Sequence, residues 1–208
     1  MSNAETLLRE AGPNDAPVCA RLIYGAGPTL YNLLFGPSSK QAIALFETLF
    51  ALPQNPFSFE NALLAERNGQ VVGMALAADV AQRRRNGGRM MRLLPRHRGL
   101  WPLVRSLPVV LDIMRCSSTP PPDAYYLGIL SVAPDVRGQG VGSMLIEEVH
   151  RHARQAGCPS IALHAELDNV DAQRFYRRHG YKITGTYPAR RVAALGMAGF
   201  VSMARALE

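Results

Sequence analysis

Two spacings of apolar residues run along this chain, one of every second position and one of every third or fourth, and the switches between them mark out the elements. Leu7 to Ala11 reads as a short first strand. Gly12-Pro13-Asn14-Asp15 is a turn, in which Asn14 or Asp15 can cap a helix carrying Val18, Leu22 and Ile23. A second helical piece follows Pro28, with Leu30, Leu33 and Leu34 apolar, and Gly36-Pro37 ends it. Ser38 or Ser39 caps a third, with Ile43, Leu45, Phe46, Leu49 and Phe50, and Pro53 stops it. Asn61 to Arg67 and Gln70 to Val80 are strand runs about Asn68-Gly69, a dipeptide suited to the positive φ angles of a tight hairpin turn.

Beyond residue 80 the rhythm breaks until Tyr125. From there it becomes strand (Tyr125 to Val132), helix (Val141 to Ala156), strand (Ser160 to Glu166), helix (Val170 to His179) and two closing strands, Tyr181 to Tyr187 and Phe200 to Ala206. Strands alternating with helices predict an α/β (α+β) protein with a parallel or mixed sheet and helical crossovers. In the helix from Val141, Met144, Leu145, Val149 and Ala153 share the apolar face with Val141. Ser143, Glu147, Arg151 and Arg154 form the polar face, with Glu147 and Arg151 in the favourable i,i+4 order.

The broken stretch holds the charge. Residues 81 to 123 contain nine arginines and two acids, an excess equal to the +7 of the whole 208-residue chain, so the remainder is balanced. Helical spacing recurs there at Met90, Leu93 and Leu94, at Leu100, Leu103, Val104 and Leu107, and at Val110, Leu111 and Met114. Pro102 and Pro108 are expected to divide it into short helices, with Trp101 anchoring an apolar face and the arginines outward. This is read as an ordered helical insertion, packed near a ligand cleft or on a partner in a homodimer; the alternative is a solvated excursion.

The length suits one domain of ordinary size or one with an insertion, and 48% hydrophobic residues supply a core. No apolar run reaches the roughly eighteen residues of a membrane span, and the start has no signal-peptide pattern. Cys19, Cys116 and Cys158 are few, odd in number and without metal-ligand spacing, which favours a reduced cytoplasmic setting and no metal.

The sharpest chemical signal is Val132-Ala133-Pro134-Asp135-Val136-Arg137-Gly138-Gln139-Gly140-Val141-Gly142. A strand, a Gly-rich turn and a helix N-terminus make an anion site, because the first-turn N–H groups have no helical acceptor and glycines let a phosphate approach the backbone. Close packing of helix on strand is the plainer reading of such a turn. A dinucleotide fold fits poorly, since the spacing is not G-x-G-x-x-G, and a P-loop fits worse, since no Gly-Lys-Ser/Thr follows.

The spacing Arg137-x-x-Gly140-x-Gly142 resembles the acetyl-CoA signature of the GNAT N-acetyltransferase family, as do the preceding Val132-x-Pro134 and Asp135. Asn169, Ala172, Phe175, Tyr176, Gly180 and Tyr181 resemble that family's following helix. The resemblance covers about 57 residues, 125 to 181. It implies a GNAT-like mixed, largely antiparallel twisted sheet flanked by helices, with 81–123 inserted before the fourth strand of a single 1–208 domain.

The resemblance also implies an activity: transfer of an acetyl group from acetyl-CoA to a primary amine by direct attack in a ternary complex, without metal. The backbone at Leu130, Ser131 and Val132 would polarise the thioester carbonyl and pair with pantetheine. Arg137, Gly138, Gln139, Gly140, Val141, Gly142 and Ser143 would hold the pyrophosphate, with Asn169 and Tyr176 also beside the cosubstrate. Tyr176 would return a proton to the thiolate; packing against pantetheine is the alternative. In some relatives a carboxylate base stands five residues before the asparagine. That position here is His164, so the base is left between His164, Glu166 and a water relay.

Two other classes compete with the acyltransferase. A CoA-binding sensor without catalysis is one. A nucleic-acid-associated protein using the Arg-rich segment is the other, disfavoured because Arg83 to Arg98 has no interleaved aromatics and no known motif. The acceptor is an amine-bearing small molecule or peptide, anionic if the arginines serve recognition.

Overall fold

The computed structural model describes residues 5–98 and 100–207, with side chains for 5–93 and 106–207. The strands are β1 (Leu7–Glu10), β2 (Ala62–Arg67), β3 (Gln70–Asp79), β4 (Tyr125–Val132), β5 (Ser160–Glu166), β6 (Lys182–Pro188) and β7 (Gly199–Ala206). Their order across the sheet is β1-β2-β3-β4-β5-β7-β6. Among the described residues only the β4–β5 pair is parallel. The hairpin between β2 and β3 turns at Asn68 and Gly69, with φ of 50° and 74° as such a turn demands.

Helices cover both faces. On one lie α1 (Ala16–Ala26), α2 (Pro28–Phe35) and α3 (Ser39–Ala51), where Cys19, Ile23, Phe46 and Phe50 meet Leu64, Met74, Leu76 and Ile129 of the sheet. Ser38 caps α3 by accepting from the Gln41 N–H at 3.4 Å. Asp15 works differently from the expected helix cap. Its carboxylate accepts from the Gly12 N–H and pairs with Arg9, closing the turn rather than the helix.

The other face carries α6 (Val141–Gln155) and α7 (Val170–Arg178). Val141, Leu145, Ile146, Val149 and Ala153 pack on Leu63, Ala75, Leu127, Ile161 and Leu163. Burying a side chain such as Leu145 contributes about 1.5–3 kcal/mol. Helix and sheet approach so closely that a Cβ on Gly73 would lie 3.1 Å from both Val141 and Leu145. The apolar stripe is displaced from the sequence reading: Met144 is 39% exposed, whereas Ile146 and His150 are buried. His150 is accommodated by polar neighbours, Tyr181 Oη at 3.1 Å, Glu147 at 3.3 Å and Arg205 at 3.0 Å. Glu147 is therefore drawn to His150, and Arg151 pairs with Glu148 instead.

The basic stretch is ordered as two helices, α4 (Val80–Arg98) and α5 (Leu100–Arg115), longer than the short pieces expected from its prolines. Pro102 falls in the first turn of α5, where a missing N–H loses no helical bond. Pro108 lies inside the helix and does not end it. Tertiary packing outweighs its lost bond. Val109 and Ile113 pack with Leu30, Leu33, Val192 and Phe200. Asp112, 4% exposed, accepts from the Arg191 and Val192 N–H groups at 2.9 and 3.0 Å, tying α5 to the turn between β6 and β7. The anchoring expected of Trp101 concerns a side chain outside those described.

Candidate active site

β4 and β5 begin side by side and then part. They pair only at Tyr125, Tyr126 and Leu127 against Ile161, Ala162 and Leu163, although β4 runs on to Val132 and β5 to Glu166. A bulge causes the divergence. Leu76 opposes Ile129 while Ala77 opposes Leu127, which leaves Gly128 as an extra residue in β4 and bends the strand. The Ala133 N–H donates to Val72 O at 2.8 Å, so successive amides of β4 point alternately toward β3 and away. The N–H groups of Leu130 and Val132 therefore face the opening. That of Ser131 faces β3 and belongs to the ladder. Of the three residues expected here, two offer backbone donors that have no partner among the described residues.

At the end of β4 a short turn, Pro134–Val136, leads through Arg137 to Gly140 and into α6. Gly138 and Gly140 have φ of 77° and 85°, a region costly for side chains with a Cβ. The first bond of the helix runs from the Met144 N–H to Gly140 O at 3.1 Å, leaving the N–H groups of Val141, Gly142 and Ser143 without helical acceptors. Side chains brace the turn from behind. Arg137 Nε donates to Val132 O at 3.1 Å, Gln139 Nε2 to Asp135 O at 3.2 Å, and Arg67 reaches Gln139 from the β2–β3 hairpin. A Cβ on Gly142 would lie 3.4 Å from the Phe175 ring. The Ser143 hydroxyl bonds to His179 Nε2 at 3.1 Å, and His179 Nδ1–H donates to Phe175 O at 2.9 Å. The cradle has nothing within 4 Å of where a Cβ on Gly138 or Gly140 would stand. Free amides, helix dipole and open space together fit a pyrophosphate.

Past the parted strands lies a cavity of about 330 Å³, into which Tyr126, Leu130, His164, Glu166, Tyr176 and Arg83 face. β5 presents His164 and Glu166 on one side because strand residues two apart share a face. Tyr176 comes from α7, whose first turn is capped by Asn169 Oδ1 accepting from the Ala172 N–H at 3.0 Å. Asn169 thus spends its acceptor on the helix and reaches the cavity only with what remains. Phe175 and Tyr176 diverge as adjacent helical residues must, Phe175 onto Gly142 and Tyr176 into the cavity.

Burial governs the titration of these groups. It pushes the Tyr176 phenol well above its ordinary value. It also raises Glu166, with Asp168 adding in the same direction. Glu166 Oε1 is buried without a hydrogen-bond partner among the described residues, close to the N-terminus of α2 where a Cβ on Gly27 would lie 3.5 Å away. His164 is pushed down to about 4, first by burial and then by the Arg83 charge. Both its ring nitrogens are engaged, Nδ1 with Tyr126 Oη at 2.8 Å and Nε2 with Ser118 Oγ at 3.3 Å; Ser118 in turn contacts Ser202 at 2.7 Å.

Tyr126 and Ser118 were not singled out in the sequence as site residues, and Arg83 was grouped with Arg84 and Arg85 as a candidate for acceptor recognition. Tyr126 had no clean signal, because period two counted from Leu130 runs through Gly128 and the bulge there resets the face. Arg83 had none separating it from Arg84 and Arg85. Its half-buried position also corrects the expectation that the basic cluster faces outward throughout, whereas Arg84 and Arg85 are exposed.

Comparison with known proteins agrees with this architecture. The acetyltransferase (GNAT) family matches residues 29–181. Over 53 residues the chain is 45% identical to an aminoalkylphosphonate N-acetyltransferase of Salmonella typhimurium, covering 26% of this chain and 34% of that protein. Over 60 residues it is 38% identical to the peptidyl-lysine N-acetyltransferase YjaB of the same organism, covering 29% and 38%. The chain thus spans about a third of the length of these curated relatives. A solved structure described as an acetyltransferase superposes with a TM-score of 0.72 at 24% identity, over 97% of this chain and 100% of that one. An N-acetyltransferase from Staphylococcus aureus Mu50 gives 0.72 at 13% identity over 95% and 99%. These two share the fold. With the family matched across most of its length, the chain belongs to the GNAT acetyltransferases.

Proposed function

We propose that this protein transfers the acetyl group of acetyl-CoA to a primary amine by direct attack in a ternary complex, acting as one acyltransferase domain over 1–208 with 81–123 as an insertion. One observation carries the reading: the parting of β4 from β5 puts free backbone donors between an open anion cradle and a cavity holding an unpartnered carboxylate and a buried phenol. The amides from Gly138 to Ser143 receive the pyrophosphate, with Arg137 and Gln139 holding the turn. The Leu130 or Val132 N–H donates to the thioester oxygen, where negative charge develops during attack.

Glu166 is the better base of the two candidates. A carboxylate raised toward neutrality, with an oxygen free to accept, suits deprotonation of an ammonium. His164, held near 4 and bonded at both nitrogens, positions Tyr126 instead. Tyr176 protonates the departing thiolate. Its raised value keeps the phenol protonated until the reaction, and a thiolate formed in the same buried space is destabilised too, so the transfer remains matched. Three free cysteines suit a reducing compartment such as the cytoplasm.

The test is thiol release from acetyl-CoA by purified protein across small amines, amino acids and peptides. Amine-dependent release is expected. Tight acetyl-CoA binding with no amine accelerating thiol release would overturn the enzymatic reading.

A further inference from the structure

We propose that Arg83 forms an anion-binding subsite of the acceptor cavity, and that the acceptor is a small primary amine carrying a carboxylate or phosphonate on a short apolar spacer. This rests on acetyl transfer at the same cavity and names the class of molecule the cavity takes.

Placement comes first. Asp79, the last residue of β3, accepts from the Gln82 N–H at 2.7 Å and so starts α4. Val80, 2% exposed, packs with Ala124, Tyr126 and Ala162. One turn on from these anchors, Arg83 lies over the Tyr126 ring with its guanidinium carbon 4.3 Å from the centroid. A Cβ on Gly128 would stand 3.2 Å from Arg83 Nη1, so the glycine at the bulge leaves room for the guanidinium. The side chain is thus held in the cavity by its stem and its stacking, which leaves its N–H edge for other work.

Arg83 makes no ion pair and donates no hydrogen bond among the described residues, whereas Arg9, Arg151 and Arg174 all pair with carboxylates. A guanidinium is a planar fork of donors matched to carboxylate or phosphonate oxygens. Its positive field reaches the cavity wall, where it lowers His164 and opposes the burial-driven rise of Tyr126.

The same cavity contains the opposite charge. Glu166 offers a buried oxygen with no partner among the described residues, and the walls include Leu30, Leu34, Ile113 and Phe200. One cation and one carboxylate lining a single cavity that also has apolar walls complement a molecule with an anion at one end and an amine at the other. A volume of about 330 Å³ is at the small end of ligand cavities and must also admit the acyl group, which favours a compact acceptor. Arg84 and Arg85 are exposed and bring only screened surface charge.

The decisive measurement is calorimetric binding of β-alanine, 2-aminoethylphosphonate and propylamine to the CoA-saturated protein, repeated with Arg83→Met, with Arg83→Gln and with the Arg84→Glu/Arg85→Glu double variant. The original protein is expected to bind at least one of the two anionic amines more tightly than propylamine. Either Arg83 substitution should weaken that binding about 10- to 100-fold, as loss of a charge-assisted contact does. Acetyl-CoA affinity should be unaltered, and the double variant should change amine binding less than about two-fold at 0.15 M salt. Equal binding of charged and neutral amines by the original protein, or undiminished binding in both Arg83 variants, overturns the subsite. Thiol-release assays with the same amines separate the two readings: anion-selective binding without turnover defeats acetyl transfer and leaves the subsite standing, whereas turnover without anion selectivity does the reverse.

Discussion

The turn from Val132 to Ser143 and the helices α4 and α5, which bring Arg83 and Ile113 to the cavity, are built in different ways. The turn works through its backbone. Positive φ at Gly138 and Gly140 and unbonded amides at the start of α6 are consequences of a short contiguous segment, which adjoins the edge of β4 that β5 leaves unpaired. The helical stretch works through side chains whose positions depend on distant partners. Arg83 lies over Tyr126 of β4, and α5 is held by the Asp112 carboxylate against backbone amides some eighty residues away. A cosubstrate handle made of backbone is portable and local. An acceptor site assembled from α2, α4, β4, β5 and α7 belongs to the whole fold.

The greatest strain on this comparison comes from chemistry in the acceptor half. Tyr176→Phe keeps the ring and removes the proton, so kcat should fall about 10²–10⁴-fold with acetyl-CoA affinity retained. Unaltered turnover would return Tyr176 to packing alone.

Glu166→Gln should reduce kcat/KM about 10²–10³-fold. A base acts ionised, so activity in the original protein should rise with pH through the raised Glu166 value. That limb should vanish in Glu166→Gln and persist in His164→Gln; the opposite pattern makes His164 the base.

In the cosubstrate half the expected effect is on binding. Gly140→Val places a branched side chain at a φ of 85° in the cradle. CoA affinity should fall at least about 10-fold, against a stability loss of about 1–3 kcal/mol. Undiminished affinity by calorimetry would move the phosphate site elsewhere.

The smallest effect concerns stability and pH. His164 is lowered from 6.5 to about 4, so between those values the unfolded chain binds a proton that the folded chain does not. Stability should therefore decline as pH falls from about 6.5 to 4, with His164 contributing on the order of 2 kcal/mol after solvent screening. His150, also lowered by burial, contributes in the same direction. Urea unfolding at pH 7 and 4.5 should show a smaller decline in His164→Gln; an equal decline would place the sensitivity at His150.

The helix from Val141 shows how far periodicity carried. It identified the buried stripe through Val141, Leu145, Val149 and Ala153, but placed Met144 where Ile146 and His150 lie. A polar residue can join a core when its partners are present, and Tyr181 and Arg205 come from other elements. Pro108 was read as a break because sequence reveals the lost N–H and not the packing that offsets it.

What the sequence determined by itself was local: the alternation of strands and helices, the Asn68-Gly69 turn, the glycine positions before α6 and the shared strand face of His164 and Glu166. Each follows from φ preferences and side-chain periodicities acting over a few residues. The tertiary structure decided which polar groups lose water and which find partners. It divided Arg83 from Arg84 and Arg85, engaged both nitrogens of His164 and left Glu166 Oε1 buried with no partner among the described residues. Those outcomes depend on desolvation and on contacts between segments far apart in the chain, and no local pattern encodes them.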